Sequence, residues 1–166
     1  MKYSHKELQE RLSTIPLFKN ISAKPQIMNP VIQALEQRKV TQGEEIIVEG
    51  TSGDEMYILL KGEIEISKFT MERERYTVAR FKDSMNIFFG ELALVDTDKR
   101  SASVMALTDC ELLVMTRAKF HELGAAHHEL GWLLSLEIAG LLSKRLRKAN
   151  DDAVVLFEAL LNELAS

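Results

Sequence analysis

Glu55-Met56-Tyr57-Ile58-Leu59-Leu60-Lys61-Gly62-Glu63-Ile64-Glu65-Ile66-Ser67 is the stretch on which the architecture turns. Its first half is a short apolar run of strand length. After Gly62, the residues Glu63-Ile64-Glu65-Ile66 alternate polar and apolar strictly, as a strand buried on one face does. The same pattern recurs on both sides, so strands are expected over 45–48, 55–60, 63–67, 76–81, 102–107 and 111–115. Gly43, Gly50, Gly53, Gly62 and Gly90 fall between these runs, where turns need positive φ or a close chain approach. Met71-Glu72-Arg73-Glu74-Arg75 reads as an exposed hairpin tip. Many short strands with glycine turns predict an all-β middle, a sandwich or barrel-like β-roll, and not a parallel α/β sheet.

The flanks are helical. Ser4-His5-Lys6-Glu7 has the Ser-x-x-Glu form of a capping box and predicts a helix to about Leu12. Ile15-Pro16-Leu17-Phe18 breaks it and supplies apolar anchors. A second helix is expected over 25–37, with Ile27, Val31, Ile32 and Leu35 on one face. After Arg117 the chain reads as helix almost to its end: no proline follows Pro30, and no glycine lies between Gly140 and Ser166. Leu142, Leu146, Ala149, Ala153, Leu156, Leu160 and Leu164 are spaced by four and three alternately until the last, the heptad spacing of a helix packed on another helix. Continuous from about Glu129 to Leu164, it would be ~54 Å long at ~1.5 Å per residue. That exceeds what so small a body can cover, so a homodimer through this helix is expected. The competing arrangement is a break at Asn150-Asp151-Asp152, with Asn150 capping a separate final helix. The chain thus reads as one α+β domain in three parts: a helical segment 1–38, a β-roll 39–117, and a hinge with a long helix 118–166.

Composition narrows the function. Of 166 residues, 46% are apolar and 28% charged, a globular balance with material for a core. The net charge of −4 argues against a nucleic-acid binder. Lone Cys110 excludes a disulfide framework. Neither a signal peptide nor an apolar run near the ~20 residues of a membrane span is present, so a cytoplasmic setting is expected. None of His5, His121, His127 and His128 lies in the β region, and adjacent His127 and His128 would point about 100° apart on a helix, so no metal centre is expected. Asp109 and Glu111 flank Cys110 and would raise its pKa, so it reads as a small core or turn residue. No Gly-x-Ser-x-Gly elbow or phosphate loop occurs. The chain is not expected to be an enzyme. Ser143-Lys144-Arg145-Leu146-Arg147-Lys148 reads as a solvated helix face, and Asp151 and Asp152 behind it would repel a phosphate backbone, so no direct DNA binding is expected.

One segment remains: Phe89-Gly90-Glu91-Leu92-Ala93-Leu94-Val95-Asp96-Thr97-Asp98-Lys99-Arg100-Ser101-Ala102-Ser103-Val104. A glycine and a carboxylate open it, and an arginine followed by small residues comes nine positions after Glu91. Small residues let the main chain approach an anion. Arginine presents a planar fork that never loses its proton. A carboxylate can only accept, so its partner on the same ligand is a hydroxyl. Together they ask for a small ligand with one phosphate and one free hydroxyl.

This segment resembles the phosphate-binding cassette of cyclic-nucleotide-binding domains, the family that includes the regulatory subunits of cyclic-AMP-dependent protein kinase and the bacterial catabolite activator. The match is Phe89-Gly90-Glu91-Leu92-Ala93-Leu94, then five residues, then Arg100-Ser101-Ala102-Ser103-Val104. Gly43-Glu44 with Ile46-Ile47, Met56-Tyr57-Ile58-Leu59 with Gly62-Glu63-Ile64, and Glu111-Leu112-Leu113-Val114-Met115 with Arg117 and Phe120 resemble the family's flanking strands and hinge helix. Lys82-Asp83-Ser84-Met85-Asn86-Ile87-Phe88 departs from the glycine-acidic pair usual before the cassette.

The resemblance implies an antiparallel double-stranded β-helix of jelly-roll type, with roles residue by residue. Arg100 would pair with the cyclic phosphate and Glu91 with the ribose 2′-hydroxyl. Gly90, Leu92, Ala93, Ser101 and Ala102 would surround the phosphate, with the short helix of the cassette aiming amides at it. Ser101 after the arginine, as in the catabolite activator, favours cyclic AMP, with cyclic GMP the alternative. Asn150, on the long helix, is the candidate base contact. The implied function is a stand-alone sensor acting through its C-terminal helix on an unknown protein effector. An interaction module that keeps the fold without binding nucleotide, or a DNA regulator lacking its helix-turn-helix, are the other readings.

Overall fold

The computed structural model describes residues 3–164, so the outermost ends of the first and last parts, 1–2 and 165–166, lie outside the described residues. Among the described residues, strands β1 (Glu36–Val40), β2 (Glu45–Ile47), β3 (Glu55–Lys61), β4 (Glu63–Phe69), β5 (Arg75–Lys82), β6 (Phe88–Phe89), β7 (Ser103–Ala106) and β8 (Cys110–Thr116) build two antiparallel sheets. One has the order β1-β8-β3-β6, the other β2-β7-β4-β5.

β3 and β4 are consecutive, yet they lie in different sheets with only Gly62 between them. The corner depends on that glycine. Its φ is +103°, and a Cβ there would come within 2.7 Å of both the Asp109 carbonyl and the Cys110 Sγ. The apolar run of β3 follows from burial on both faces. Tyr57 and Leu59 point into the roll with Ile47, Ile64, Phe89, Val104 and Leu112, while Met56 and Ile58 point out to the helices with Leu113 and Met115 of β8. Cys110 is buried inside the roll, where desolvation raises its thiol pKa. β5 forms an edge, joined to β4 through an exposed tip in which Arg73 has φ +63°.

The helices pack on the outer face of β3 and β8. α1 (His5–Ser13) opens with the expected capping box of Ser4 and Glu7. A 3-10 turn, Pro16–Phe18, follows, and then α2 (Pro25–Ala34). α2 ends short of the expected residue 37, because 36–40 pairs as β1 with β8 from Glu36↔Val114 to Val40↔Cys110. Arg11 reaches from α1 to the Asn86 side chain and to the carbonyls of Leu59 and Asp83. It thereby holds the loop that departs from the family pattern, a 3-10 turn (Asp83–Met85) closed by Asn86 at φ +53°.

α3 (Arg117–Ala126) and α4 (His128–Leu164) meet at His127. There Gly124 and Gly131 approach so closely that a Cβ on Gly131 would lie 2.9 Å from the Gly124 Cα. α4 runs unbroken through Asn150 for 37 residues. Leu130, Leu134 and Ile138 are buried, but every described position from 143 onward is exposed, including Leu146, Leu156, Leu160 and Leu164. No helix of the described residues is long and apolar enough to cross a membrane.

Candidate functional site

A cavity of about 320 Å³ opens between the roll and the proximal part of α4. Ligand pockets start at roughly this size. Its apolar wall is Ile47, Ile66, Phe89 and Val104; its polar side is Gly90 to Ala93, Asp96, Asp98 to Ala102, and Arg145.

Gly90 fixes how the cassette enters the cavity. Its φ is +74°, and a Cβ would crowd the Arg100 Nη1 and the Glu55 carbonyl, each at 3.0 Å. The turn it makes starts a 3-10 helix, Glu91–Leu94, in which Glu91 is only 2% exposed. Arg100 is fixed at both ends. Its backbone pairs with the preceding turn: Gly50 N donates to the Arg100 carbonyl and Arg100 N to the Thr51 carbonyl, both at 2.8 Å. Its guanidinium donates from Nη2 to the Glu55 carbonyl at 2.8 Å and from Nη1 to the Gly90 carbonyl at 3.3 Å. Gly53 makes this possible by close approach and not by φ, since a Cβ there would sit 2.5 Å from the Arg100 Nε. Two of five donor hydrogens are used in these bonds, so the fork keeps donors for an anion.

Behind Arg100 lies a second polar group. Arg38 of β1 donates two hydrogen bonds to the Glu55 carboxylate, at 2.8 and 2.6 Å, and the Tyr57 hydroxyl donates a third at 2.6 Å. The Arg38 hydrogen bonds hold the Glu55 carboxyl below the ordinary carboxylate range. Burial, then the Glu55 hydrogen bond, pushes the Tyr57 hydroxyl up to about 12. Arg38 is 40% exposed at its side chain, and such pairs contribute only about 0.2–1 kcal/mol. The group therefore orients more than it stabilises. It fixes Tyr57, whose ring stacks on Phe89 of the cavity wall at 5.3 Å and 17°.

The structure brings Gly90, Glu91, Leu92, Ala93, Arg100, Ser101 and Ala102 to one cavity. Asn150 is not among its lining residues and is exposed on α4. The α4 residue at the site is Arg145, paired through Nη1 with Glu91 Oε1. Asn150 lies five positions beyond Arg145 on α4, about 7.5 Å further along the axis and roughly 140° around it. Arg145 belongs to a basic run that reads from sequence as a solvated face, and its other cations, Lys144, Arg147 and Lys148, are exposed. The geometry offers a buried acceptor-only group and a forked cation on one small cavity, beside an apolar wall.

A model of the cyclic nucleotide-binding domain matches residues 37–127. The Cyclic AMP receptor protein of Thermus thermophilus is 29% identical over 151 residues, which are 90% of this chain and 66% of that protein. A cAMP-dependent protein kinase regulatory subunit of Aspergillus fumigatus is 37% identical over 112 residues, 68% of this chain and 25% of the subunit. The crystal structure of the Thermus thermophilus Catabolite Activator Protein superposes with a TM-score of 0.75 at 28% identity, over 85% of this chain and 62% of that one. The chain thus spans less than two thirds of each of these relatives. The matched residues take in β2 to β8 and the whole cassette, and by them the chain belongs to the cyclic nucleotide-binding domain family.

Proposed function

We propose that this chain is a cytoplasmic sensor that binds cyclic AMP in preference to cyclic GMP and reports occupancy, without catalysis, through its C-terminal helix to a protein partner. The observation that carries this reading is the presence in one cavity of buried Glu91 and anchored Arg100. Glu91 suits a ribose hydroxyl, Arg100 a cyclic phosphate. Gly90, Leu92, Ala93, Ser101 and Ala102 would surround the phosphate, and Phe89 and Ile66 would face the base. Ser101 carries the preference for adenine. In this reading 39–117 senses, while 1–38 and 118–166 transmit.

The test is calorimetric titration with the two nucleotides in parallel. Cyclic AMP is expected to bind at least about tenfold tighter, a difference of about 1.4 kcal/mol. Equal or reversed affinities overturn the base preference, and no binding of either nucleotide overturns the sensor reading.

Two copies would pair along the exposed heptad of α4. A helix standing free with Leu146, Leu156, Leu160 and Leu164 in water leaves apolar surface that a second helix would bury. Sedimentation should find a dimer for the wild type and a monomer for Leu156→Glu/Leu160→Glu. A monomeric wild type at micromolar concentration would exclude the pairing.

A further inference from the structure

Asn150 has no task in the fold or at the cavity. α4 passes through it unbroken, so it caps no helix, and it is not among the cavity's lining residues. Its side chain makes no hydrogen bond among the described residues. Its place along α4 supplies a task. Counting four and three residues alternately from Trp132 to Leu164, every position reached is exposed. All of them are apolar except Ser143 and Asn150. This stripe differs from the heptad visible in the sequence, because Leu142 of that heptad packs against the protein's own core. It runs for ~48 Å at ~1.5 Å per residue, longer than the about three to four heptads that mark a coiled coil. Its large members Trp132 and Phe157 are 65% and 61% exposed. Ser143 is satisfied within its own helix, where its hydroxyl accepts from Arg147 Nη1 at 2.7 Å. Of the two polar positions, only Asn150 presents an amide that no described residue pairs.

We propose that Asn150 sets the strand number, direction and register of α4 pairing: a second copy lies parallel on the stripe, and the two Asn150 amides bond across it. The step from 150 to 153 is three residues, which makes Asn150 an a position of the heptad. An amide carries both donor and acceptor, so the same residue of a second copy satisfies it in a parallel, in-register pair. An antiparallel pair of full overlap sets 150 against 146, and each amide is then buried beside Leu146 without a partner. A parallel pair slipped by one heptad sets it against Ser143 and Phe157. A single polar a residue of this kind selects two strands and one register, and it lowers the strength of association. That two copies meet through α4 rests on the dimer reading given above; the role of Asn150 within the pair is the further step.

Sedimentation and oxidative cross-linking test this in wild type, Asn150→Leu and Asn162→Leu, with Ala153→Cys added to each for the cross-linking. Cys110 is buried and does not compete for the oxidant. Wild type is expected to form dimers alone, and its Ala153→Cys form should cross-link copy to copy, since position 153 then faces itself. Asn150→Leu should associate about tenfold tighter or more. It should also form trimers or tetramers beside the dimer, with a smaller fraction cross-linked as dimer. Asn162 lies on the far side of α4 from the stripe, so Asn162→Leu should change neither reading. Equal association and a single dimeric species in wild type and Asn150→Leu overturn the proposal, as does an equal gain from Asn162→Leu. A wild-type dimer whose Ala153→Cys form does not cross-link also overturns it, while the dimer reading stands. A monomeric wild type at micromolar concentration removes the dimer reading itself, and the proposal with it.

Discussion

Arg100→Ala is expected to weaken cyclic AMP binding by about 2–5 kcal/mol, the cost of removing one partner of a desolvated charged contact. That is a loss of roughly thirtyfold to a few thousandfold in affinity. The size follows from how much structure is committed to this one side chain. Glycine stands at 53 and 90 so that the guanidinium can lie between them, and the carbonyls of Glu55 and Gly90 hold its inner edge. Removing the side chain leaves the anion without its forked donor and the Glu55 carbonyl without that bond. Arg100→Lys keeps the charge but not the fork, and should fall between wild type and alanine. Calorimetry gives the affinities, and a thermal melt of each variant separates lost binding from lost folding. Similar affinity in wild type and Arg100→Ala would remove Arg100 from the site.

The features that the sequence displays well are local ones. Gly43, Gly50, Gly62 and Gly90 all have positive φ, and Gly53 is the close approach, the two uses that turn glycines have. The capping box of Ser4 and Glu7 forms because its groups lie three residues apart. What stayed hidden depends on distant partners. Residues 36–40 carry a polar run that continues a helical pattern, and they become strand through pairing with β8, whose residues lie 70 to 78 positions later. Two-residue β6 has no periodicity to read. Arg145 shares its charge and spacing with neighbours that face water, and only the fold brings Glu91, 54 residues earlier, to it. The cassette could be read because its chemistry lies within sixteen successive residues; the contact from the helix could not.

Phe18→Ala is expected to cost about 3–5 kcal/mol of folding stability, against about 5–15 kcal/mol for a typical domain. Phe18 is 1% exposed at the end of the Pro16–Phe18 turn. It belongs to the apolar cluster that joins Leu8 and Leu12 of α1, Met28 and Val31 of α2, Met56 and Ile58 of β3, and Leu130 and Leu134 of α4. Backbone bonds from Phe18 N to the Ile15 carbonyl, and from Ile21 N and Ser22 N to its own carbonyl, keep the turn from sliding into the space left. The cavity should therefore remain largely open, which places the loss toward the upper end of the range. Urea titration should show a lower midpoint with an unchanged slope. A loss below about 1 kcal/mol would mean that the helices close over the gap and that the turn is no anchor. The ligand offers an internal check. Phe18 does not line the cavity, so the variant should bind cyclic AMP as the wild type does. Nucleotide at one hundred times the wild-type Kd should then raise the stability of both proteins by the same ~2.7 kcal/mol. A smaller increment in Phe18→Ala would mean that the helical layer itself shapes the site, through the middle of α4, which carries Arg145.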